Sequence, residues 1–381
     1  MDNAIKKIIA QTFEDIANGI ETGSFGGVPK IGLMGIGSEH GEDEMCRGAK
    51  LAAQKGLTPV FIGSCECADV RATCEADATT AMEKMLKNGE IDGAVAMHYT
   101  FPIGVSTVGK VITPATGKYL YIATTTGTSA TDRVAAMVLN AIYGIIAAKA
   151  SGVENPTVGI LNIEGARQVE RALRDLAEKG YGINFTQSKR SDGGVFMRGN
   201  DVLNNPCDVL VCDSLTGNVL MKLLSSYTTG GSYEALGFGY GPGIGEAANE
   251  LVLIVSRASG APVVAGAMEY AAQLVKGDWR KVAAAEFAAA NAAGLKPLLA
   301  KLAEKTQPAA QEAVAAPPKE IVTAEIGGIE ITELDDAVTV LWKAEIYAES
   351  GMGCTGSIVL VNPDKHESAK KILIEAKFVS E

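Results

Sequence analysis

Aromatic residues are scarce, at 6% of the 381 residues, and single-stranded nucleic acid is held mainly on aromatic stacking platforms. Positive charge is also short. The formal net charge of −11 disfavours nonspecific binding to nucleic acid and to anionic membranes, though it does not exclude small anionic substrates, which respond to local charge. A long apolar run is missing: Val134–Ala148, the longest uncharged stretch in the middle, is short for a membrane span and follows Asp132 and Arg133, so it reads as a buried helix. The first twenty residues mix both charge signs in an amphipathic pattern and have no secretory apolar core. Seven cysteines at irregular spacing make no disulfide scaffold, and a reducing cytoplasm is the expected location. Cys65-Glu-Cys67 is too tight for a two-residue zinc knuckle and has no histidine close by, so Cys65, Cys67 and Cys74 read as buried or incidental thiols. Gly35-Ile-Gly-Ser-Glu-His-Gly41 misplaces the third glycine of a dinucleotide fingerprint and crowds the turn with acidic residues. No resident cofactor or metal is expected.

What is present is glycine, 43 residues of it, in a chain 47% apolar, which suits an α/β enzyme with many turns near ligands. The chain is organised around Cys207–Lys222. Residues 208–212 form a short buried strand, a polar turn follows, and then a helix that Ser214 or Thr216 can cap. Asp213 sits at the strand end. Asn218 and Lys222 are four apart and share a helix face. Carboxylate, amide, ammonium and the unpaired N–H groups of a helix start then meet at the carboxyl edge of a strand, where open α/β sheets bind ligands. An anion, most simply phosphate, suits that place. The alternative is an ordinary βα turn with a surface lysine.

Around that stretch, strands and helices alternate. Strands are expected near residues 30–34, 58–62, 91–97, 119–123 and 157–161, with helices over 1–20, 43–55, 75–88, from about 130 to 150, and from 167 to 179. A threonine-rich turn is expected over Thr124–Ser129. Asn162-Ile-Glu-Gly-Ala-Arg167 opens a second polar turn, and Gly230–Gly245 is a further glycine-rich segment. Leu251–Val255 fits strand or helix equally. The alternation predicts a doubly wound α/β body with a mostly parallel sheet, ending at residue 303. Residues 304–318, rich in Ala, Pro, Gln and Glu, predict a linker. A small α/β unit over 319–381 follows, with strands at 321–325, 329–331, 338–343 and 358–361 and a helix over 368–375. It holds Gly351-Met-Gly-Cys354-Thr-Gly-Ser357. Flanking glycines leave the thiol little steric cover, and a turn of this kind can stabilise a thiolate. An inert cysteine in a tight β-turn fits as well.

The body resembles the phosphate acyltransferase family of phospholipid synthesis. The matching pieces come in the family's order: Gly35–Gly41, Asn162-Ile-Glu-Gly165, Cys212-Asp-Ser-Leu-Thr-Gly-Asn-Val219 with Lys222, and Gly241-Pro-Gly-Ile-Gly245. The whole chain, Gly-Met-Gly-Cys-Thr-Gly included, is more similar to the alpha subunits of component C of clostridial glycine, sarcosine and betaine reductase complexes. The resemblance implies a three-layer α/β/α fold with a mostly parallel central sheet, of the isocitrate/isopropylmalate dehydrogenase kind. It implies a beta subunit of component C and selenoprotein A as partners within an oligomer. It implies that the carboxymethyl group on selenium becomes an acetyl thioester, which inorganic phosphate converts to acetyl phosphate. Carried onto this chain, Cys354 is the acyl carrier. Asp213, Thr216, Asn218 and Lys222 belong to the phosphate or acyl-phosphate site, with Asn162, Glu164 and Arg167 nearby. Three other readings stay open: an acyltransferase using acyl-carrier protein, a phosphotransacetylase, and a non-catalytic scaffold subunit.

Overall fold

The structure, a computed structural model, describes residues 12–13, 27–188, 194–306, 314–327, 329, 333–353, 356–376 and 378–379. Cys354, residues 307–313 of the expected linker and nearly all of the expected helix over 1–20 lie outside the described residues. The chain divides into a body, Met1–Asn162 and Ala166–Ala303, and a second unit made of Ile163–Gly165 and the C-terminal Glu304–Glu381.

The strands of the body are β1 (Lys30–Met34), β2 (Thr58–Gly63), β3 (Val70–Arg71), β4 (Gly93–Ala96), β5 (Val105–Ile112), β6 (Tyr119–Thr128), β7 (Thr157–Leu161), β8 (Asn184–Phe185), β9 (Phe196–Met197), β10 (Val209–Val211), β11 (Gly241–Ile244) and β12 (Val252–Ile254). Its helices are α1 (Glu42–Gln54), α2 (Glu75–Asn88), α3 (Arg133–Ala150), α4 (Ala166–Glu178), α5 (Gly199–Asn204), α6 (Ser214–Ser226), α7 (Ala261–Lys276), α8 (Trp279–Ala292) and α9 (Leu295–Thr306). The strands join one sheet in the order β3-β2-β1-β4-β12-β11-β5-β6-β10-β7-β8, with β9 also on β7. This is the expected three-layer α/β/α architecture, with helices flanking a large, mostly parallel sheet.

Three pairings are antiparallel: β12 with β11, β11 with β5, and β5 with β6. An odd number of reversals means that β1, β2, β4 and β12 run opposite to β6, β7 and β10. The carboxyl ends of the two strand groups therefore lie at opposite edges of the sheet.

Several expectations change or resolve. Thr124–Ser129 is not a turn: β6 continues to Thr128, where Gly127 and Thr128 pair with Ser106 and Val105 beyond a register shift at Thr124–Thr126. Within Gly230–Gly245, residues 241–244 are strand β11. Gly241 is required there, since its φ is +90° and a Cβ would stand 1.7 Å from the Val108 carbonyl oxygen. Leu251–Val255 resolves as strand β12. The chain of residues 304–306, expected as linker, is the last turn of α9.

The helix α3 is long and apolar enough to cross a membrane, yet 83% of it is buried inside the protein, as its sequence suggests. One buried charge stands out on β5. Lys110 is 2% exposed. Its ammonium lies over the rings of Tyr119 (4.5 Å), Phe238 (4.7 Å), Tyr270 (5.2 Å) and Tyr121 (5.5 Å) and donates to Gln273 Oε1 at 2.9 Å. Burial pulls its pKa down to about 8, against the opposing pull of Glu269.

The C-terminal unit has a three-stranded antiparallel sheet, β13 (Ala324–Gly327), β15 (Gly356–Val361) and β14 (Ala348–Gly353) in that order, with α10 (Leu334–Lys343) and α11 (His366–Glu375). Residues 338–343, expected as a strand for their β-branched content, belong to α10. Leu334, Ala337, Val338 and Leu341 are its buried positions, spaced three and four apart as a helix face requires. They pack with Ile346, Val359, Val361 and Leu373 into a core of the unit's own. β14, absent from the sequence-based strands, pairs with β15 from Ala348 opposite Val361 down to Gly353 opposite Gly356.

Candidate functional site

Strand β10 delivers Asp213 to the start of α6, and Asp213 itself is the cap. One carboxylate oxygen accepts the Thr216 amide at 3.0 Å and the other the Thr216 hydroxyl at 2.6 Å. Ser214 and Thr216 do not cap, because both already lie inside the helix. The Arg133 guanidinium approaches the same carboxylate at 3.1 Å. Burial alone would raise the Asp213 carboxyl. The Thr216 hydroxyl and amide, with Arg133, outweigh it and hold the group below the usual carboxylate range.

Gly217 explains how closely α6 lies on the sheet. A Cβ there would be 1.8 Å from the Thr124 carbonyl oxygen, so only glycine lets the helix rest on the β6 backbone. The next residue, Asn218, donates to the Thr125 carbonyl at 3.1 Å. The glycine and asparagine of the Thr-Gly-Asn piece thus fix the helix to the strand.

Lys222 lies nine residues beyond Asp213, about 13 Å along the helix, and engages different partners. Its ammonium is 2.6 Å from Glu234 Oε1 and donates to Ser256 Oγ at 2.7 Å. Glu234 is 1% exposed and also accepts the Tyr240 hydroxyl at 2.9 Å and the Ser259 hydroxyl at 2.9 Å. Burial first, then Glu234, push the Tyr240 phenol far up. Asp213 and Lys222 are therefore on one helix but in two separate clusters.

Asn162 follows β7, the parallel neighbour of β10. Ile160 pairs with Val211, so continued register sets Asn162 beside Asp213 at the same sheet edge. Asn162, Glu164 and Arg167 are all exposed.

Arg133, Asp213 and Ser214 line a cleft of about 220 Å³ at this edge, together with Thr124, Thr128, Ser129 and Asn140. Its floor is a buried polar chain. Ser106 and Ser129 hydroxyls are 2.5 Å apart, Ser129 donates to Asn140 Oδ1 at 2.5 Å, and Asn140 Nδ2 donates to the Cys212 carbonyl at 2.9 Å. A guanidinium, hydroxyl donors and a helix N-terminus facing one cleft can hold a small oxyanion. Sequence reasoning missed Arg133, Asn140 and Glu234. Arg133 was visible only as the charged lead-in to an apolar helix, and nothing in spacing ties Glu234 to Lys222.

A second cleft of about 170 Å³ opens at the opposite edge, between Met34, Ile36, Glu75, Met97 and His98. Beside it Arg257 holds Glu75 with two bonds, 2.8 and 3.1 Å. Among the described residues no group of three or more His, Cys, Asp or Glu is placed to hold a metal ion.

The family model described as "Fatty acid synthesis protein" matches residues 29–360. The chain is 56% identical over 384 residues to the glycine/sarcosine/betaine reductase complex component C subunit alpha of Peptoclostridium acidaminophilum, covering 99% of each. It is 40% identical over 87 residues to a phosphate acyltransferase of Acetivibrio thermocellus, 22% of each chain. A phosphate acyltransferase of Lacticaseibacillus casei is 28% identical over 157 residues, 36% of this chain and 44% of the relative.

Proposed function

This chain belongs to the fatty acid synthesis protein family, and we propose that within it the chain serves as the alpha subunit of component C of an amino-acid reductase complex, forming acetyl phosphate. The observation that carries this reading is coverage. Likeness to the reductase subunit runs through body and tail, 99% of the chain, whereas likeness to the two phosphate acyltransferases covers 22% and 36% of it. An acyltransferase reading leaves the cysteine-bearing unit without a purpose.

The substrate in this reading is the Se-carboxymethyl group of selenoprotein A, with the beta subunit as the other partner and the cytoplasm as the place. The chemistry balances with two thiols. One forms a selenium–sulfur bond as the Se–C bond breaks, and the two electrons released reduce the CH2 to CH3. The other, Cys354, takes the acyl group as a thioester while hydroxide leaves. Inorganic phosphate then attacks the thioester carbonyl and returns the thiol. A thioester makes acyl phosphate without ATP more readily than an oxygen ester does. The body's contribution is to bind and orient phosphate, converting a bimolecular attack into a positioned one. The cleft at the start of α6 supports that role, with Arg133 and Ser214 as donors, Asp213 and Thr216 fixing the helix end, and Asn162 on the neighbouring strand. Asn218 and Lys222 hold the helix that presents the cleft. Arg167 is a candidate for the approach to it.

The test is the reconstituted complex given carboxymethylated selenoprotein A without phosphate, then quenched in acid. Mass spectrometry is expected to show one acetyl group on the peptide holding Cys354, removed on adding phosphate. Cys354→Ser should abolish acetyl phosphate formation. An acetyl group on the beta subunit instead, or full activity of Cys354→Ser, overturns the thiol assignment.

A further inference from the structure

None of the six body cysteines has an assigned part in that scheme, and three of them lie close together. Cys46 lies on α1, and Cys65 and Cys67 lie in the loop after β2. The Cys65 and Cys67 sulfurs are 2.6 Å apart, and Cys46 is also within hydrogen-bonding reach of Cys67. The loop is pinned to the start of α1. Glu42 accepts the Ser64 amide at 2.8 Å, the Ser64 hydroxyl at 2.5 Å and the Cys65 amide at 3.1 Å. Cys67 is exposed, Cys65 half-buried and Cys46 buried. One accessible thiol with a second in contact behind it is the arrangement that thiol–disulfide exchange needs: one sulfur to attack, another to resolve.

We propose that Cys65 and Cys67 form a dithiol that reduces a dichalcogenide bond, S–S or Se–S, and closes to a Cys65–Cys67 disulfide. Cys67, the exposed thiol, attacks one atom of the substrate bond. That bond breaks, and the departing fragment takes the proton that Cys67 lost. Cys65 then attacks the Cys67 sulfur, and the second fragment leaves with the proton of Cys65. Two electrons pass from the dithiol to the substrate. The selenium–sulfur bond left in the reaction proposed above is one such substrate. That link alone rests on the component C reading.

The experiment uses the full chain and oxidised glutathione as the disulfide, followed by acid quench, alkylation and trypsin. The peptide between Lys55 and Arg71 contains Cys65 and Cys67 and no other cysteine. It is expected unalkylated and lighter by two hydrogens, and to take two alkyl groups only after reduction. In Cys65→Ser, glutathione should stay on Cys67. A doubly alkylated peptide, two glutathiones on it, or a link to the Cys46 peptide overturns the proposal. For the link to selenium, the reconstituted complex with Cys65→Ser/Cys67→Ser and no added reductant should complete one turnover and stall sooner than the wild type. Equal turnover numbers remove the link.

Discussion

Lys222 and Glu234 form an ion pair of unequal halves: their charged atoms are 2.6 Å apart, yet the lysine side chain is 46% exposed and the glutamate 1%. Among the described residues, Lys222 is the one cation in the Glu234 hydrogen-bond set, beside Tyr240 and Ser259. Lys222→Ala is therefore expected to destabilise the body, by about 1–3 kcal/mol, because it strands a buried carboxylate. The half-exposed lysine keeps the cost below that of a fully buried pair. Lys222→Met/Glu234→Gln should recover most of the loss. Urea unfolding of the three proteins decides it. A Lys222→Ala protein as stable as wild type would show that the pair contributes nothing to the fold.

Arg133 and Lys222 make distinct predictions for phosphate. Arg133 faces the cleft at the start of α6, and losing one charge-assisted contact costs about 1.5–3 kcal/mol. Arg133→Ala should raise the phosphate KM about ten- to a hundredfold. Lys222→Met, measured in the Glu234→Gln background to spare the fold, should change it little. Acetyl phosphate formation against phosphate concentration is the assay. The reverse ranking would move the phosphate site to Lys222 and Ser256.

Lys110 predicts a pH dependence of unusual sign. Its pKa is about 8 in the folded protein against a usual 10.5. Below pH 8 both states carry the proton, and the folded state bears the full cost of burying the ammonium. Between the two values only the unfolded chain holds the proton, so stability rises with pH. Relative to Lys110→Met, which lacks the group, wild type should gain about 2–3 kcal/mol between pH 7 and 10. Parallel unfolding curves at the two pH values, with no change in the difference, would mean that the aromatic rings fully replace water around the ammonium.

The parts of the fold that the sequence displays are those where periodicity is strong. β1, β2, β7, α2 and α3 sit where alternation and apolar runs predict them. β5 and β11 escaped notice because one is rich in small polar residues and the other is Gly-Pro-Gly-Ile. Their strand character comes from their partners and not from their own composition. Residues 338–343 show the opposite failure, where β-branched content masked a helical spacing of buried positions. In the candidate site, the Asp213 strand end and the helix that follows it were legible from spacing. The roles of individual groups were not. Asp213 is a cap rather than a free carboxylate, and Lys222 is committed to Glu234, a residue that the sequence gives no reason to pair with it. Gly217 is legible only after the fact, through the Thr124 carbonyl that its missing side chain would strike.

The reversal of strand direction between β12 and β6 has a kinetic corollary. The cleft at Arg133 and Asp213 and the cleft at Glu75 and His98 open on opposite margins of one sheet, separated by roughly the 17 Å length of a five-residue strand. Two small ligands, one in each, cannot exclude one another by contact. Inhibition of one by the other would be noncompetitive, and a competitive pattern between two small molecules would assign both to the same margin.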